Sequence, residues 1–277
     1  MNPVEGDEED PTRKQRSDQP SARRKVLKEA ETPSAVLRTR LAQLGIVLAV
    51  VAIAIVVVLI GSGGGTKPVV SGTKKARETT TNVDSAIGGI PQSGNMLGSP
   101  TAPVTLQYFG DLECPTCREF SLEALPSIIN RWVRSSKLKI EYRSFRAATR
   151  NLEVFNTQQV AALAAGKQDK MWYFVELFYY EQGEEDSGYV TESYLRGIAS
   201  HVPGLNLPKW ISDRTEPALA DEVTADGQAA INEGLTGTPS FLIGRSGSAM
   251  KKLGKGFLPL SSFDEGIEKV LMEQARD

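Results

Sequence analysis

The chain has 277 residues, with 40% hydrophobic residues, 24% charged residues and a formal net charge of −2 at pH 7. This composition is typical of a folded protein, and the near-neutral charge offers no basic footprint for nucleic acid. Two cysteines and a single histidine, His201, are too few for a Cys/His zinc site with four ligands, so no metal site is predicted.

The first 60 residues predict a polar tail followed by a membrane anchor. Residues 1–40 show no sustained apolar period and are predicted to be a disordered tail. Residues 41–60 carry no charge, and as a helix they would span about 30 Å, the thickness of a bilayer core. Residues 21–40 hold six Lys/Arg against four in residues 61–80, which favours a cytoplasmic N-terminus. We therefore expect a single-pass protein of the cell membrane with its C-terminal domain extracytoplasmic.

The rest of the chain predicts a linker and one folded domain. Residues 61–97 are rich in Gly, Ser, Thr and Pro and are predicted to be a flexible linker. Strand patterns at 104–109 and 137–145 enclose a helix from 115 to about 134, which Pro126 should kink. Residues from about 150 to 232 are mostly helical, and strands at 239–244 and 251–257 precede a last helix. The predicted domain, residues 98–277, is α/β with the order β-α-β, helical insert, β-β-α.

The two cysteines form the motif Cys114-Pro115-Thr116-Cys117 between the first strand and its helix. At a helix N-terminus, the unpaired N–H groups and the helix dipole favour the thiolate of Cys114. Cys117 lies one helical turn further on, where it can resolve a mixed disulfide. The alternative is an inert pair, or a disulfide that merely staples one turn, but closing so short a loop removes little chain entropy. We therefore predict that Cys114 is the exposed nucleophile and Cys117 the more buried resolving thiol.

The run VTLQYFGDLECPTCREF and the later GLTGTPSFLIG resemble the DsbA-like branch of the thioredoxin superfamily. The resemblance covers roughly residues 98–276. It implies a thioredoxin-like core with a helical insert, here preceded by the predicted transmembrane helix. It also implies a cis bond between Thr238 and Pro239, in a loop that faces the cysteines. By position, Cys114 and Cys117 would be catalytic, and the substrate groove would include Pro115, Thr116, Thr238 and Pro239.

The sequence departs from the family's pattern at two positions. Thr116 stands where the best-known member has a histidine, and an uncharged hydroxyl there predicts a less oxidising couple. Tyr108 stands at about the position of a buried acid that many relatives carry on the first strand. The group that moves the proton of the resolving thiol is therefore open. Asp111 and Glu113 lie nearby, either in that role or as solvated loop charges.

Three further features are open to more than one interpretation. His201 has no serine motif or ligand partner around it, and no catalytic role is predicted. Arg118 and Glu119 follow the cysteines and are solvated, or Arg118 helps to hold the thiolate. A cluster of aromatic side chains either packs the helical insert or exposes an apolar surface for unfolded substrates. Its members are Trp172, Tyr173, Phe174, Phe178, Tyr179 and Tyr180.

These features together predict a membrane-anchored, extracytoplasmic thiol–disulfide oxidoreductase that forms disulfides in exported proteins and needs no cofactor. An oxidising compartment disfavours spare thiols, which agrees with a chain that has only two cysteines. The resemblance suggests a quinone-linked membrane partner of the DsbB or vitamin-K-epoxide-reductase type for reoxidation. One alternative is a reductase or isomerase of the same fold, fed by a membrane electron donor. Another is a non-enzymatic holdase or adaptor.

Overall fold

The computed structural model describes residues 74–276, which contain a six-stranded sheet and a helical insert. The strands are β1 (Gln92–Ser93), β2 (Met96–Leu97), β3 (Val104–Gly110), β4 (Leu138–Ser144), β5 (Ser240–Arg245) and β6 (Lys251–Lys255). The α-helices are α1 (Lys74–Ile87), α2 (Pro115–Glu119), α3 (Leu125–Ile128), α4 (Leu152–Gly166), α5 (Met171–Tyr180), α6 (Glu192–His201), α7 (Leu207–Asp213), α8 (Pro217–Asn232) and α9 (Leu260–Gln274). Two π-helical turns, π1 (Phe120–Ala124) and π2 (Ile129–Val133), alternate with α2 and α3.

The sheet has the order β1-β2-β4-β3-β5-β6. β3 and β4 are parallel, as the helical crossover between them requires, and every other pair is antiparallel. β3 is central, and all of its residues except the half-buried Gln107 are buried. The predicted order β-α-β, helical insert, β-β-α is confirmed, with small shifts at the ends of the elements. The end of β3 leads directly into the Cys114 motif.

The helical insert, α4 to α8, lies between β4 and β5, where the sequence predicts it. Its aromatic helix α5 is buried along its whole length except for Tyr180, which is half-buried. The packing interpretation of these aromatic residues is therefore confirmed. The proposed apolar surface for unfolded substrates has no support from them, since their rings lie in the core.

The prediction of a flexible linker over residues 61–97 is wrong for the part that the structure describes. α1 occupies Lys74–Ile87, and β1 and β2 form a hairpin that extends the sheet beside β4. Val83 and Ile87 are fully buried, and Tyr173 of α5 donates a hydrogen bond to Asp84 at 2.7 Å. The polar composition concealed an apolar stripe at helical spacing, and packing against the insert stabilises a helix that propensity alone would not.

The helix that follows the cysteines continues past Pro126 with its turns widened. Pro126 lies in the first turn of α3, between π1 and π2, and the helical run ends at Val133. Proline lacks an N–H and displaces the carbonyl four residues before it, and a π-turn absorbs that displacement. The kink predicted at this residue therefore takes the form of two π-turns.

The predicted transmembrane helix, residues 41–60, and the predicted tail, residues 1–40, lie outside the described residues. Within residues 74–276, no helix has the length and apolar character needed to cross a membrane.

Candidate active site

Cys114 caps the N-terminus of α2 with its own sulfur. Its backbone is extended, with φ −72° and ψ 119°, and its Sγ accepts a hydrogen bond from the Cys117 N–H at 3.4 Å. Pro115 occupies the first helical turn, where a missing N–H leaves nothing unpaired. Both cysteines are free thiols. Cys114 is only 5% exposed, so the prediction of an exposed nucleophile is wrong, because the loop before β5 packs against its sulfur. Cys117 is fully buried, so it is the more buried of the two, as predicted.

The loop before β5 lies directly against Cys114. The bond between Thr238 and Pro239 is cis, as the resemblance implies. The Cys114 thiol donates to the Thr238 carbonyl at 3.4 Å, and the Pro239 carbonyl accepts from the Gly256 N–H at 2.7 Å. The structure thus brings the two predicted halves of the site together across 124 residues of chain. Around them, Pro115 is exposed, and Thr116 and Thr238 are half-buried.

The electrostatics of the two thiols are opposite. Hydrogen bonding from the Cys117 side chain, helped by the Thr238 side chain and by the N–H groups of Cys117 and Thr116, outweighs burial and lowers the pKa of Cys114 from 9.0 to about 6. Burial, together with the hydrogen bond to Cys114, raises the pKa of Cys117 well above its ordinary value. Thiolate is the attacking and leaving species in disulfide exchange. Cys114 therefore forms a thiolate readily, whereas Cys117 resists ionisation.

Asp111 and Glu113 are both buried, so the interpretation as solvated loop charges is wrong. The Asp111 carboxylate accepts from the N–H groups of residues 113, 147, 148 and 149 and from the Thr149 hydroxyl, at 2.6 to 3.2 Å. With so many donors, this carboxylate holds the loop before Cys114 in place. Burial raises the pKa of Glu113 to about 7.

Tyr108 is fully buried on β3, and its side chain belongs to the same buried core as Cys117. Its hydroxyl lies 2.9 Å from the hydroxyl of Tyr179, a residue of α5. Tyr142, from β4, packs its ring edge-on against Tyr108 with the centroids 5.2 Å apart. Sequence reasoning singled out Tyr108 but did not predict that Tyr142 and Tyr179 lie beside it. Their separation along the chain leaves no local signal, because only the fold brings the three phenols together.

The helical insert braces the active-site loop through polar contacts. The Gln182 side chain donates to the carbonyls of Leu112 and Cys114, at 2.7 and 3.1 Å. Arg118 directs its Nε to the Tyr179 carbonyl at 3.0 Å, so it joins α2 to the insert. His201 forms its hydrogen bond within its own helix, between its Nδ1 and the Gly197 carbonyl at 2.8 Å. The structure does not bring His201 to the cysteines.

Comparisons with known proteins agree with this geometry. A family model described as thioredoxin matches residues 92–249. Disulfide bond formation protein D of Bacillus subtilis is 23% identical over 193 residues, which cover 67% of this chain and 82% of that protein. Probable disulfide bond formation protein D of Bacillus cereus is 25% identical over 150 residues, which cover 53% of this chain and 68% of that protein.

Two solved structures share the fold. The crystal structure of oxidised BdbD from Bacillus subtilis has a TM-score of 0.55 and 22% identity, and covers 68% of this chain and 98% of its own. The structure of α-DsbA1 from Wolbachia pipientis also has a TM-score of 0.55, with 21% identity, and covers 65% of this chain and 91% of its own. The family model spans more than half of the chain. The chain therefore belongs to the thioredoxin family, as a DsbA-like thiol–disulfide oxidoreductase.

Proposed function

We propose that this protein is a membrane-anchored, extracytoplasmic oxidase that forms disulfides in exported proteins through Cys114 and Cys117. The observation that carries the proposal is the contrast between the two thiols. Cys114 has a pKa lowered to about 6, and Cys117 is a fully buried thiol that resists ionisation. A stabilised thiolate at Cys114 favours the reduced enzyme, which makes the disulfide form an oxidant.

The reaction begins with the Cys114–Cys117 disulfide. A substrate thiolate attacks the Cys114 sulfur, a new disulfide joins substrate and Cys114, and Cys117 leaves as a thiolate that then takes up a proton. The second substrate thiolate attacks the substrate sulfur of this mixed disulfide. The substrate disulfide forms, Cys114 leaves as a thiolate, and two electrons have passed from substrate to enzyme. Because the pKa of Cys114 lies near 6, Cys114 is a good leaving group at neutral pH.

The groove beside Cys114 would hold the substrate in an extended conformation. Pro115, Thr116, Thr238 and Pro239 would line it, and the contact between the Cys114 thiol and the Thr238 carbonyl supports this placement. An extended peptide gains affinity from main-chain hydrogen bonds at an exposed edge, with little dependence on its sequence. This mode suits an enzyme that acts on many exported chains.

Anchoring and reoxidation complete the proposal. Residues 41–60 have the length and composition of a membrane span, and the excess of Lys/Arg before them favours a cytoplasmic N-terminus. The reduced enzyme needs an electron acceptor, and a quinone-linked membrane protein of the DsbB or vitamin-K-epoxide-reductase type would supply one. Two of the relatives are named for disulfide bond formation, which supports the oxidising direction.

The test uses the full chain in oxidised form, mixed with a reduced, unfolded protein that has two thiols. We expect stoichiometric disulfide formation by the wild type, none by Cys114→Ala, and normal activity in the exposed-site control Ser248→Ala. In cells, acid quenching and thiol trapping should find the Cys114–Cys117 pair mostly oxidised. A mostly reduced pair would favour the reductase or isomerase alternative. If the wild type forms no disulfide, and both it and Cys114→Ala suppress aggregation of the unfolded protein equally, the result would favour the holdase.

A further inference from the structure

The side-chain amide of Gln182 bridges the two backbone carbonyls on either side of Glu113. Its Nε2 donates to the Leu112 carbonyl at 2.7 Å and to the Cys114 carbonyl at 3.1 Å. An amide nitrogen carries two protons, so one group satisfies both acceptors. The Cys114 carbonyl also accepts from the Arg118 N–H at 3.1 Å, within the helix that the cysteine begins. The bridge therefore fixes the chain at the nucleophile from a segment outside its own loop.

The orientation of the Cys114 backbone decides whether its sulfur can cap α2. The residue is extended, with φ −72° and ψ 119°, and its sulfur accepts from the Cys117 N–H at 3.4 Å. A capping residue needs such a non-helical conformation, because only then does its side chain turn back to the first helical turn. Rotation about ψ would carry the Cys114 carbonyl away from Gln182 and turn the sulfur away from the N–H groups. The bridge and the cap are therefore coupled through one dihedral angle.

The residue before Gln182 is held by the N-terminal helix α1. The Glu181 carboxylate accepts from the Thr79 hydroxyl at 2.9 Å and from the Lys75 ammonium at 3.1 Å. Thr79 is buried, whereas Lys75 is exposed and should contribute little. The Glu181 carbonyl accepts from the Tyr194 hydroxyl at 3.1 Å. α1 and α6 therefore fix the chain just after α5, from which Gln182 reaches the active-site loop.

This inference rests on the proposed function, because it concerns the same pair of thiols. We propose that Gln182 is a positioning residue that holds the Cys114 backbone in the orientation in which its sulfur caps α2, and that α1 keeps Gln182 in place through Glu181. The N-terminal helix then belongs to the support of the active site, although its link to Cys114 runs through the insert.

Loss of the bridge should weaken the hydrogen bonds that stabilise the Cys114 thiolate. The N–H groups of Thr116 and Cys117 lower the pKa of Cys114, and they reach its sulfur only while it lies at the start of α2. If the pKa rose from about 6 to about 7, ionisation would favour the reduced protein about fivefold less at pH 7. The disulfide would then be a weaker oxidant by the same factor in its equilibrium with glutathione.

The first test compares two glutamines in the full-length protein. Gln182→Met keeps the approximate length of the side chain and removes both donors without adding a charge. The matched control is Gln168→Met, because Gln168 also bridges two segments of chain. Its side chain donates to the Asn206 carbonyl at 3.2 Å and accepts from the Asn206 N–H at 2.9 Å.

The second test compares two threonines of α1. Thr79→Val keeps the shape of the side chain and removes the hydroxyl that binds Glu181. The matched control is Thr80→Val, whose hydroxyl donates to the Ala76 carbonyl of its own helix at 3.0 Å. Both substitutions cost the helix the same intrinsic propensity, so a difference between them reports the contact with Glu181.

Two quantities are measured for every variant. One is the pKa of Cys114 in the reduced protein, from the pH dependence of its alkylation by iodoacetamide, with the modified cysteine identified by mass spectrometry. The other is the equilibrium constant with glutathione at pH 7. We expect Gln182→Met to raise the pKa to about 7 and to shift the equilibrium about fivefold toward the disulfide form. Thr79→Val should shift both in the same direction by less, and the two controls should change neither. A merely structural role would lower the stability of the fold and leave both quantities unchanged.

A wild-type pKa and equilibrium constant in Gln182→Met would overturn the proposal. Wild-type values in Thr79→Val would overturn the part assigned to α1. If Gln182→Met does not fold, Gln182→Asn decides, because its side chain is too short to keep both bonds, and wild-type values there overturn the proposal. A wild-type protein that does not exchange with glutathione at all would refute the proposed function, whereas the pKa measurement would still decide the role of Gln182.

Discussion

Replacement of Cys117 should raise the pKa of Cys114 in proportion to the hydrogen bonding that is lost. The Cys117 side chain is the largest cause of the lowered pKa of about 6, and Thr238 and two backbone N–H groups contribute less. Cys117→Ala removes the largest cause and keeps the others, so the pKa should settle between about 6 and 9.0. A rise of one pH unit would reduce the thiolate fraction at pH 6 from about a half to about a tenth. Cys117→Ser keeps a hydroxyl donor and should raise the pKa less.

The assay is the pH dependence of Cys114 alkylation by iodoacetamide, checked by the thiolate absorbance near 240 nm. Each variant has a single cysteine, so the signal needs no assignment. The pKa of Cys114 should be lowest in the wild type, higher in Cys117→Ser and highest in Cys117→Ala. A pKa that remained at about 6 in Cys117→Ala would refute the reasoning, since the helix N-terminus and Thr238 would then suffice.

Three further predictions concern stability. The pKa of Cys114 is lower in the folded reduced protein than its ordinary 9.0, so the Cys114 contribution to the free energy of unfolding should rise by up to about 4 kcal/mol between pH 6 and pH 9. The same contribution is lost as the pH falls from 9 to about 6. Calorimetry should find no contribution of Cys114 to the pH dependence of stability in the disulfide form, because Cys114 then has no thiol to ionise. Asp111→Asn replaces an acceptor oxygen with an amide group that faces backbone N–H groups. Denaturant titration should show that the free energy of unfolding falls by about 2 kcal/mol or more. The exposed control Asp221→Asn should lower it by less than about 0.5 kcal/mol. Burial raises the pKa of Glu176 to about 8, so the folded state holds an extra proton between pH 4.5 and about 8 and loses stability as the pH rises through that window. Glu176→Gln has no such titration, so its free energy of unfolding relative to the wild type should increase steadily from pH 5 to pH 8. A difference that does not change with pH would contradict the raised pKa of Glu176.

The order of elements and the position of the cysteines could be predicted because they depend on local patterns. Alternation in β4, the apolar face of the helix after Cys114 and the proline at position 239 are all visible in short windows of sequence. These signals reflect periods of two and 3.6 residues, which survive without any knowledge of tertiary contacts.

The linker was predicted wrongly because its structure depends on partners that lie far along the chain. α1 has few apolar residues, and its stability comes from burial of Val83 and Ile87 against the insert and from the contact between Asp84 and Tyr173. The flanking Gly, Ser and Thr residues dominate the composition of the segment. Composition reports the average solubility of a segment, and a single buried stripe does not change that average.

The surroundings of Cys117 were predictable only in part for the same reason. The sequence pointed to Tyr108 on β3 as a departure from the family's buried acid. It gave no sign that Tyr179 would lie 2.9 Å from its hydroxyl, across 71 residues of chain. Likewise, the sequence around Asp111 does not indicate that this residue is buried. All the hydrogen-bond donors to its side chain except the Glu113 N–H come from the turn after β4.

The central claim is that Cys114 and Cys117 form a reversible couple whose disulfide is an oxidant. The most direct test is the reduction potential of the full-length protein, equilibrated in glutathione buffers and read by thiol trapping. The lowered pKa of Cys114 stabilises the reduced form, so we expect a value well above the roughly −270 mV of thioredoxin and toward the roughly −180 mV of protein disulfide isomerase. Because Thr116 is uncharged, the value should stay below the roughly −120 mV of the strongest oxidants. A potential at or below that of thioredoxin, or the absence of reversible two-electron exchange, would contradict the account.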